Sequence, residues 1–330
     1  MDYRPHPQRR EYCDALYKLN LDHGIMPGLV YLYMPHLKHH YNWSEEQALW
    51  FAFLNGMTQN PLTSLLLMEQ LPMVPEHQRE VDKFGQWFSD NREKIPFDTD
   101  RRHQKKDTAQ SIATYAHLVA DHGSQVEMLN RSYPDLWDLV SKQYYSFGRL
   151  STFSYLEYVR IMGHGDQCTD LMFNDRSGSK SHRNGMLFLQ GKEHLVDDRR
   201  AQNGFNGRYE NFQGMCEWLT ARANDYLREF SKANDCPHIG YFTFESQLCQ
   251  FKNNFFGRRY PGVYVDMGFD RLLKHERLWG RTGHTKVIRD IRQTLPKWML
   301  LEEGNDGLTE RQRASFFPKT GFPYRGKHFL

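Results

Sequence analysis

The sequence lacks any run of about 18 apolar residues, so no segment reads as a membrane-spanning helix. It also lacks an apolar signal core, because MDYRPHPQRREY is polar from its first residues. Secretion is therefore not expected. Five cysteines (13, 168, 216, 236 and 249) include no C-x-x-C pair and share no recurring spacing with histidine. No zinc framework is written in that spacing, and reduced, mostly buried thiols of a cytosolic protein are the expectation. H-E-x-x-H, G-x-S-x-G and a dinucleotide fingerprint are all missing. Gly321–Lys327 matches most of a P-loop, but His328 stands where Ser or Thr is needed, which makes it a chance match. Neither charge dominates: 43 Lys and Arg face 40 Asp and Glu, a net of +3. Any polyanion-binding surface must come from local clustering rather than from the whole chain.

Apolar and aromatic material is present in quantity. Of 330 residues, 39% are hydrophobic and 14% aromatic, enough for a packed core and too much for a disordered chain. The length allows one large domain or two intimate ones. Ser44-Glu45-Glu46-Gln47 is a capping-box pattern ahead of ALWFAFLNGM. Asn60-Pro61 then opens the nearly all-apolar run LTSLLLMEQL, as a buried helix would. Helical periodicity continues through 76–91, 107–131 and 134–146 and returns from 209. Between them, 163–208 is rich in Gly, Asn, Ser and Arg and reads as loops suited to carrying binding groups. The predicted class is mostly α. The expected division is an N-terminal helical region 1–146, a catalytic helical region with glycine-rich loops 147–302, and a tail 303–330.

Charge is concentrated locally. The stretch 271–297 holds Arg271, Lys274, Arg277, Arg281, Lys286, Arg289, Arg292 and Lys297 against only Glu276 and Asp290. Arg101, Arg102, Lys105 and Lys106 form a second cluster, and Arg176, Lys180 and Arg183 a third. Such patches attract phosphates through charge pairing and counterion release, which points to nucleic acid or another polyphosphate. The plain alternative is a solvated helix face.

The segment FESQLCQFKNNFFGRRYPGVYVDMGFDRLL gathers different chemistry. Glu245 lies on a helical stretch with Leu248 and Cys249 at i+3 and i+4, and Lys252 one turn further. Gly257-Arg258-Arg259-Tyr260-Pro261-Gly262 makes a turn, and Asp266 and Asp270 follow at i, i+4 with Arg271 beside them. Acids, guanidinium groups and an aromatic around one turn suit an anionic leaving group and a carboxylate that handles a proton or a cation. A structural Asp–Arg network capping a helix is the competing account.

The motifs ESQLCQFK (245–252) and GRRYPGVYVD (257–266), with WFAFLNGMTQN (50–60) upstream, resemble the α-glutamyl/putrescinyl thymine pyrophosphorylases. That family is also described as amino acid:DNA transferases of bacteriophages with hypermodified thymine. VDMGFDRL (265–272) is more distantly similar to the segment carrying the catalytic Asp of helix-hairpin-helix DNA glycosylases. The resemblance implies a helical, glycosylase-like architecture. It further implies a double-stranded DNA substrate containing pyrophosphorylated 5-hydroxymethyluracil. An amino acid, with glycine a candidate, or a polyamine displaces the pyrophosphate. On this reading Lys252, Arg258, Arg259 and Arg271 bind pyrophosphate, and Glu245, Asp266 or Asp270 is the base. Asn55, Thr58, Gln59 and Tyr260 contact the extruded base or fill its place. Arg277, Arg281, Lys286 and Arg289 bind the DNA backbone. His164 and His182 either touch phosphate or are merely exposed. No metal ligand set is implied, and assistance from Mg²⁺ is left open. The expected location is the cytoplasm of an infected bacterium.

Two other readings stand beside this one. A DNA glycosylase or lyase predicts base release and an abasic product. A non-catalytic DNA-binding protein predicts that Glu245→Gln and Asp266→Asn leave function intact. Salt-dependent DNA binding separates none of the three.

Overall fold

The capping pattern at Ser44 is realised as read. In the computed structural model the Ser44 hydroxyl accepts from the Gln47 N–H, and the Gln47 side chain accepts in return from the Ser44 N–H. The structure describes residues 9–26, 29–98, 101–176, 180–196, 211–236, 239–255, 259 and 262–296. Among these there are fourteen α-helices and no strand, so the chain is mostly α as predicted. None of the helices is long and apolar enough to cross a membrane.

The helices fall into two compact units, each assembled from separated stretches of chain. One contains Val30–Gln167 and Met267–Thr294. It holds α2 (Val30–His40), α3 (Glu45–Thr58), α4 (Pro61–Gln70), α5 (Gln78–Asn91), α6 (Thr108–His122), α7 (Gln125–Leu129), α8 (Tyr133–Gln143) and α9 (Arg149–Ile161). It also takes most of α13 (Val263–Trp279) and α14 (Gly283–Gln293). Helix α3 is its axis, buried on every face from Ala48 to Thr58 and packed against α4, α7 and α9. Its C-terminus turns through Gln59 at φ +50°, and Asn60 caps α4 with Pro61 in the first turn. Phe53 stacks on Tyr115 with ring centroids 3.8 Å apart, and Tyr144, Phe147 and Tyr155 close around Phe53. Each such aromatic pair adds about 0.5–1.5 kcal/mol beyond its buried area. The hydroxyls follow a second rule, that buried polar groups find partners. Tyr115 donates to Gln125 Oε1 at 2.7 Å, and the Gln125 amide donates to the Glu46 carbonyl and carboxylate.

The other unit is built from the described parts of Met1–Leu29, Cys168–Asp266 and Leu295–Leu330. It holds α1 (Arg9–His23), α10 (Lys180–Leu189), α11 (Phe212–Asn234), α12 (Tyr241–Phe255) and the first turn of α13. Tyr17, Tyr226, Phe230 and Phe244 form its aromatic core. Polar ties run between α1 and α12. Tyr17 and Thr243 hydroxyls lie 2.7 Å apart, and the Asn20 amide donates to Gln247 and Gln250.

Two sequence expectations are corrected here. The stretch 163–208 is not loop throughout, because α10 occupies its centre and buries His182 through Leu189. Its Gly and Ser residues lower helix propensity, but packing against α12 outweighs that. Likewise the clustered cations are not all on the surface. Arg101 is 1% exposed and donates to Gly56 O, Leu150 O and Ser154 Oγ. Arg183 is fully buried and donates to Phe173 O and Asp175 O. Arg101 serves a carbonyl in the last turn of α3 and ties it to the first turns of α9, and Arg183 satisfies loop carbonyls that no helix reaches.

Candidate active site

Glu245 and Cys249 stand one turn apart on α12, as their spacing requires. His182 on α10 faces them. Its Nδ1 lies 3.0 Å from Glu245 Oε1, and the side chains are 1% and 10% exposed. The ligand atoms of His182, Glu245 and Cys249 all fall within 4.8 Å of one another. What brings them together is Gly185, one turn beyond His182. A Cβ there would meet the Leu248 carbonyl oxygen at 2.3 Å, so only glycine lets α10 approach α12 this closely.

The imidazole is held from its far side. His182 Nε2 lies 2.7 Å from the Leu171 carbonyl oxygen, which only accepts, so Nε2 carries a proton and donates it. Nδ1 therefore faces the acid. Its approach to Glu245 meets the distance of an ion pair but not the angle of a hydrogen bond. It is thus buried with no hydrogen-bond partner among the described residues.

Basic groups line the same place. Lys252, 4% exposed, donates from Nζ to Ser181 Oγ at 2.9 Å. Burial, and next the Glu245 charge, push the Cys249 thiol up to about 12, while the Ser181 hydroxyl, Lys252 and Arg259 pull it down. Cys249 is therefore a neutral thiol here and a poor nucleophile. Lys252 and Arg259 both act on it electrostatically, so Glu245, Lys252 and Arg259 share one neighbourhood. Arg259 also donates to the Tyr264 hydroxyl and lies over its ring, 5.0 Å from the centroid.

The remaining predicted residues distribute as follows. Asp266 is 3% exposed, in the first turn of α13 and in the same unit as Glu245. Asp270 and Arg271, one turn further along that helix, belong to the other unit, within which Arg271 is ion-paired with Asp98. Arg258 and Tyr260 lie outside the described residues, as do Lys297, Gly321–Lys327 and the tail. Asn55 and Thr58 are fully buried in an internal network. Asn55 donates to the Tyr33 hydroxyl at 2.9 Å and accepts from Ser64, and the Thr58 and Ser64 hydroxyls lie 2.7 Å apart. Gln59 differs, because its Oε1 is buried with no hydrogen-bond partner among the described residues. His164 lies 3.9 Å from Glu45, and His182 is neither exposed nor in a loop, contrary to expectation.

The basic stretch divides by exposure. Lys274, Arg277, Arg281 and Lys286 are exposed on α13, α14 and the turn joining them. Arg289 instead pairs with Glu276 at 2.8 Å and lies over the Phe269 ring, as does Arg292. Burial raises the Glu276 carboxyl, but Arg289, by hydrogen bond and charge, outweighs it and holds it below its ordinary range. No sequence signal marked Ser181 for the site or placed His182 against Glu245 and Cys249. Only the i, i+4 register of Glu245 and Cys249 was visible, and their partner comes from 63 residues upstream of Glu245.

Chemically, the cluster offers a buried imidazole and carboxylate with a half-buried thiol, beside two cations. Its nitrogen and sulfur donors are ill suited to Mg²⁺, which demands octahedral oxygen ligation.

Comparison with known proteins agrees with the motifs. The chain is 26% identical over 297 residues, covering 84% of itself and 71% of the relative, to a protein described as "Serinyltransferase" from Salmonella phage ViI. No solved structure matches it significantly. Residues 30–260, more than two thirds of the chain, match the family described as "Amino acid:DNA transferase". The chain belongs to the amino acid:DNA transferase family, and is a transferase whose partners are DNA and an amino acid.

Proposed function

We propose that this protein replaces pyrophosphate on 5-(pyrophosphoryloxymethyl)uracil in DNA with the amine of an amino acid, in the cytoplasm of a phage-infected bacterium. The observation that carries the reading is the neighbourhood of buried Glu245 and Lys252 with half-buried Arg259, which joins an acid to two cations on the motif segments. Pyrophosphate leaves readily only when its growing charge is neutralised, and Lys252 and Arg259 supply that charge. The C–O bond of the C5 methylene breaks with its electron pair going to pyrophosphate, and a C–N bond forms in its place. The incoming ammonium must first lose a proton. Asp266, shielded from bulk water, accepts it, and Glu245, already facing His182, orients the amine. Burial keeps water from competing for the methylene, where it would regenerate the hydroxymethyl base.

DNA is held by the exposed cations Lys274, Arg277, Arg281 and Lys286. Gln59, with its unsatisfied Oε1, contacts the target base or occupies the space it leaves on extrusion. Serine is the first amine to try, because the phage relative bears that specificity in its name. Glycine and putrescine complete the panel.

The test is nucleoside mass spectrometry of DNA carrying the pyrophosphorylated base after incubation with protein and each amine. The expected product is an aminated thymine in an intact strand. Asp266→Asn and Arg259→Ala should abolish it while DNA binding falls modestly. An abasic product would instead identify a glycosylase, and wild-type turnover by either variant would remove that residue from the site.

A further inference from the structure

We propose that His182, Glu245 and Cys249 bind a single divalent cation of zinc type. The three residues present one nitrogen, one carboxylate oxygen and one sulfur from two helices, with ligand atoms within 4.8 Å of one another. That mixed donor set selects a borderline-soft ion over Mg²⁺ or Ca²⁺, and three protein ligands leave a fourth position open.

Three further features point the same way. First, His182 Nδ1 is buried and has no hydrogen-bond partner among the described residues, although a carboxylate oxygen sits 3.0 Å away. A buried nitrogen left so is costly unless something else occupies its lone pair. Second, Nε2 is held by the Leu171 carbonyl at 2.7 Å. A backbone carbonyl on the far nitrogen is the usual outer support of a ligating histidine, and it fixes the tautomer that presents Nδ1. Third, the charges close. On binding, the ion displaces the Cys249 thiol proton to solvent, and a divalent ion with one carboxylate and one thiolate is neutral, so Lys252 and Arg259 nearby do not repel the assembly. The close helix crossing at Gly185 sets the spacing and is independent of any ion.

This inference rests on the geometry of one unit and not on the transferase reading. The two are compatible, since Glu245 as a ligand orients rather than accepts the proton. The ion would add a positive centre beside Lys252 and Arg259, where an anionic group of substrate binds.

The full chain is purified without chelator, dialysed against metal-free buffer and assayed by inductively coupled plasma mass spectrometry. About one zinc per chain is expected. Metal-stripped protein is then titrated with Co²⁺, which should give visible d–d bands and a near-ultraviolet sulfur-to-cobalt charge-transfer band. Cys249→Ser, nearly isosteric, should lose the charge-transfer band and keep the d–d bands. Glu245→Gln should weaken Zn²⁺ beyond the roughly 10–100-fold that losing an outer support costs. Cys236→Ser, a thiol outside the cluster, should change nothing. Circular dichroism confirms that each variant is folded. Absence of bound zinc together with no Co²⁺ spectrum in the wild type overturns the proposal, as does an unchanged charge-transfer band in Cys249→Ser. Zinc binding without product formation would sink the transferase chemistry and leave the metal site standing, and product formation by a chain that binds neither Zn²⁺ nor Co²⁺ would do the reverse.

Discussion

A β-carbon on Gly185 would lie 2.3 Å from the backbone carbonyl oxygen of Leu248, so the approach of α10 to α12 depends on a missing methyl group. That crossing sits one turn from His182 and between Glu245 and Cys249 in sequence. Gly185→Ala must push the helices apart, because the obstructing atom is backbone and cannot swing aside. Overpacking of this kind costs about 1–3 kcal/mol. Urea unfolding should show that loss, and amine transfer should fall with it. A Gly185→Ala variant of wild-type stability would mean the helices are not this close.

Arg101 and Arg102 are neighbours with opposite fates. Arg101→Ala leaves Gly56 O, Leu150 O and Ser154 Oγ without their donor in a buried place. The expected loss is about 3 kcal/mol or more. Arg102→Ala, on the surface, should stay within about 0.5 kcal/mol. Equal effects of the two substitutions on denaturant midpoint would contradict the buried placement.

Burial first, and then the charge of His284, lower the His275 imidazole from 6.5 to about 4. Its residue is 1% exposed in the fold. As pH falls, the unfolded chain takes up this proton before the folded one does. The stabilisation is therefore complete above about pH 6.5 and is lost as the pH drops toward about 4, worth up to about 3 kcal/mol. His275→Leu should flatten the stability profile between pH 6.5 and 4. An unaltered slope in that variant would show that other groups carry the acid dependence.

Cations of the 271–297 stretch should separate in a salt titration of DNA binding. Arg281→Ala and Lys286→Ala each remove an exposed charge and should lower the slope of log K against log salt by about 0.9. Arg289→Ala breaks the pair with Glu276 and uncovers the Phe269 ring, so its main effect should be on unfolding. A salt slope that responds only to Arg289 would reverse these assignments.

Much of the local structure was legible because helix signals are local. The Ser44–Gln47 box, the Asn60-Pro61 start and the all-apolar face of α4 each depend on residues a few positions apart. The i, i+4 relation of Glu245 and Cys249 was equally readable, once α12 was taken as a helix. Arg101 and Arg183 were misread as surface charge because composition records a cation and not the carbonyls it will meet. His182 was misread for a related reason. Its Gly- and Ser-rich surroundings read as loop, while the packing that makes them helical comes from α12, far along the chain.

By itself the sequence determined the mostly helical class, the caps that start α3 and α4, and the motifs that mark the family. Those follow from residue spacing and backbone hydrogen bonding within a turn or two. The tertiary structure alone decided that His182 meets Glu245 and Cys249, and which arginines lie inside. Such meetings depend on where a glycine lets two distant helices touch, and no short-range pattern encodes the identity of the partner.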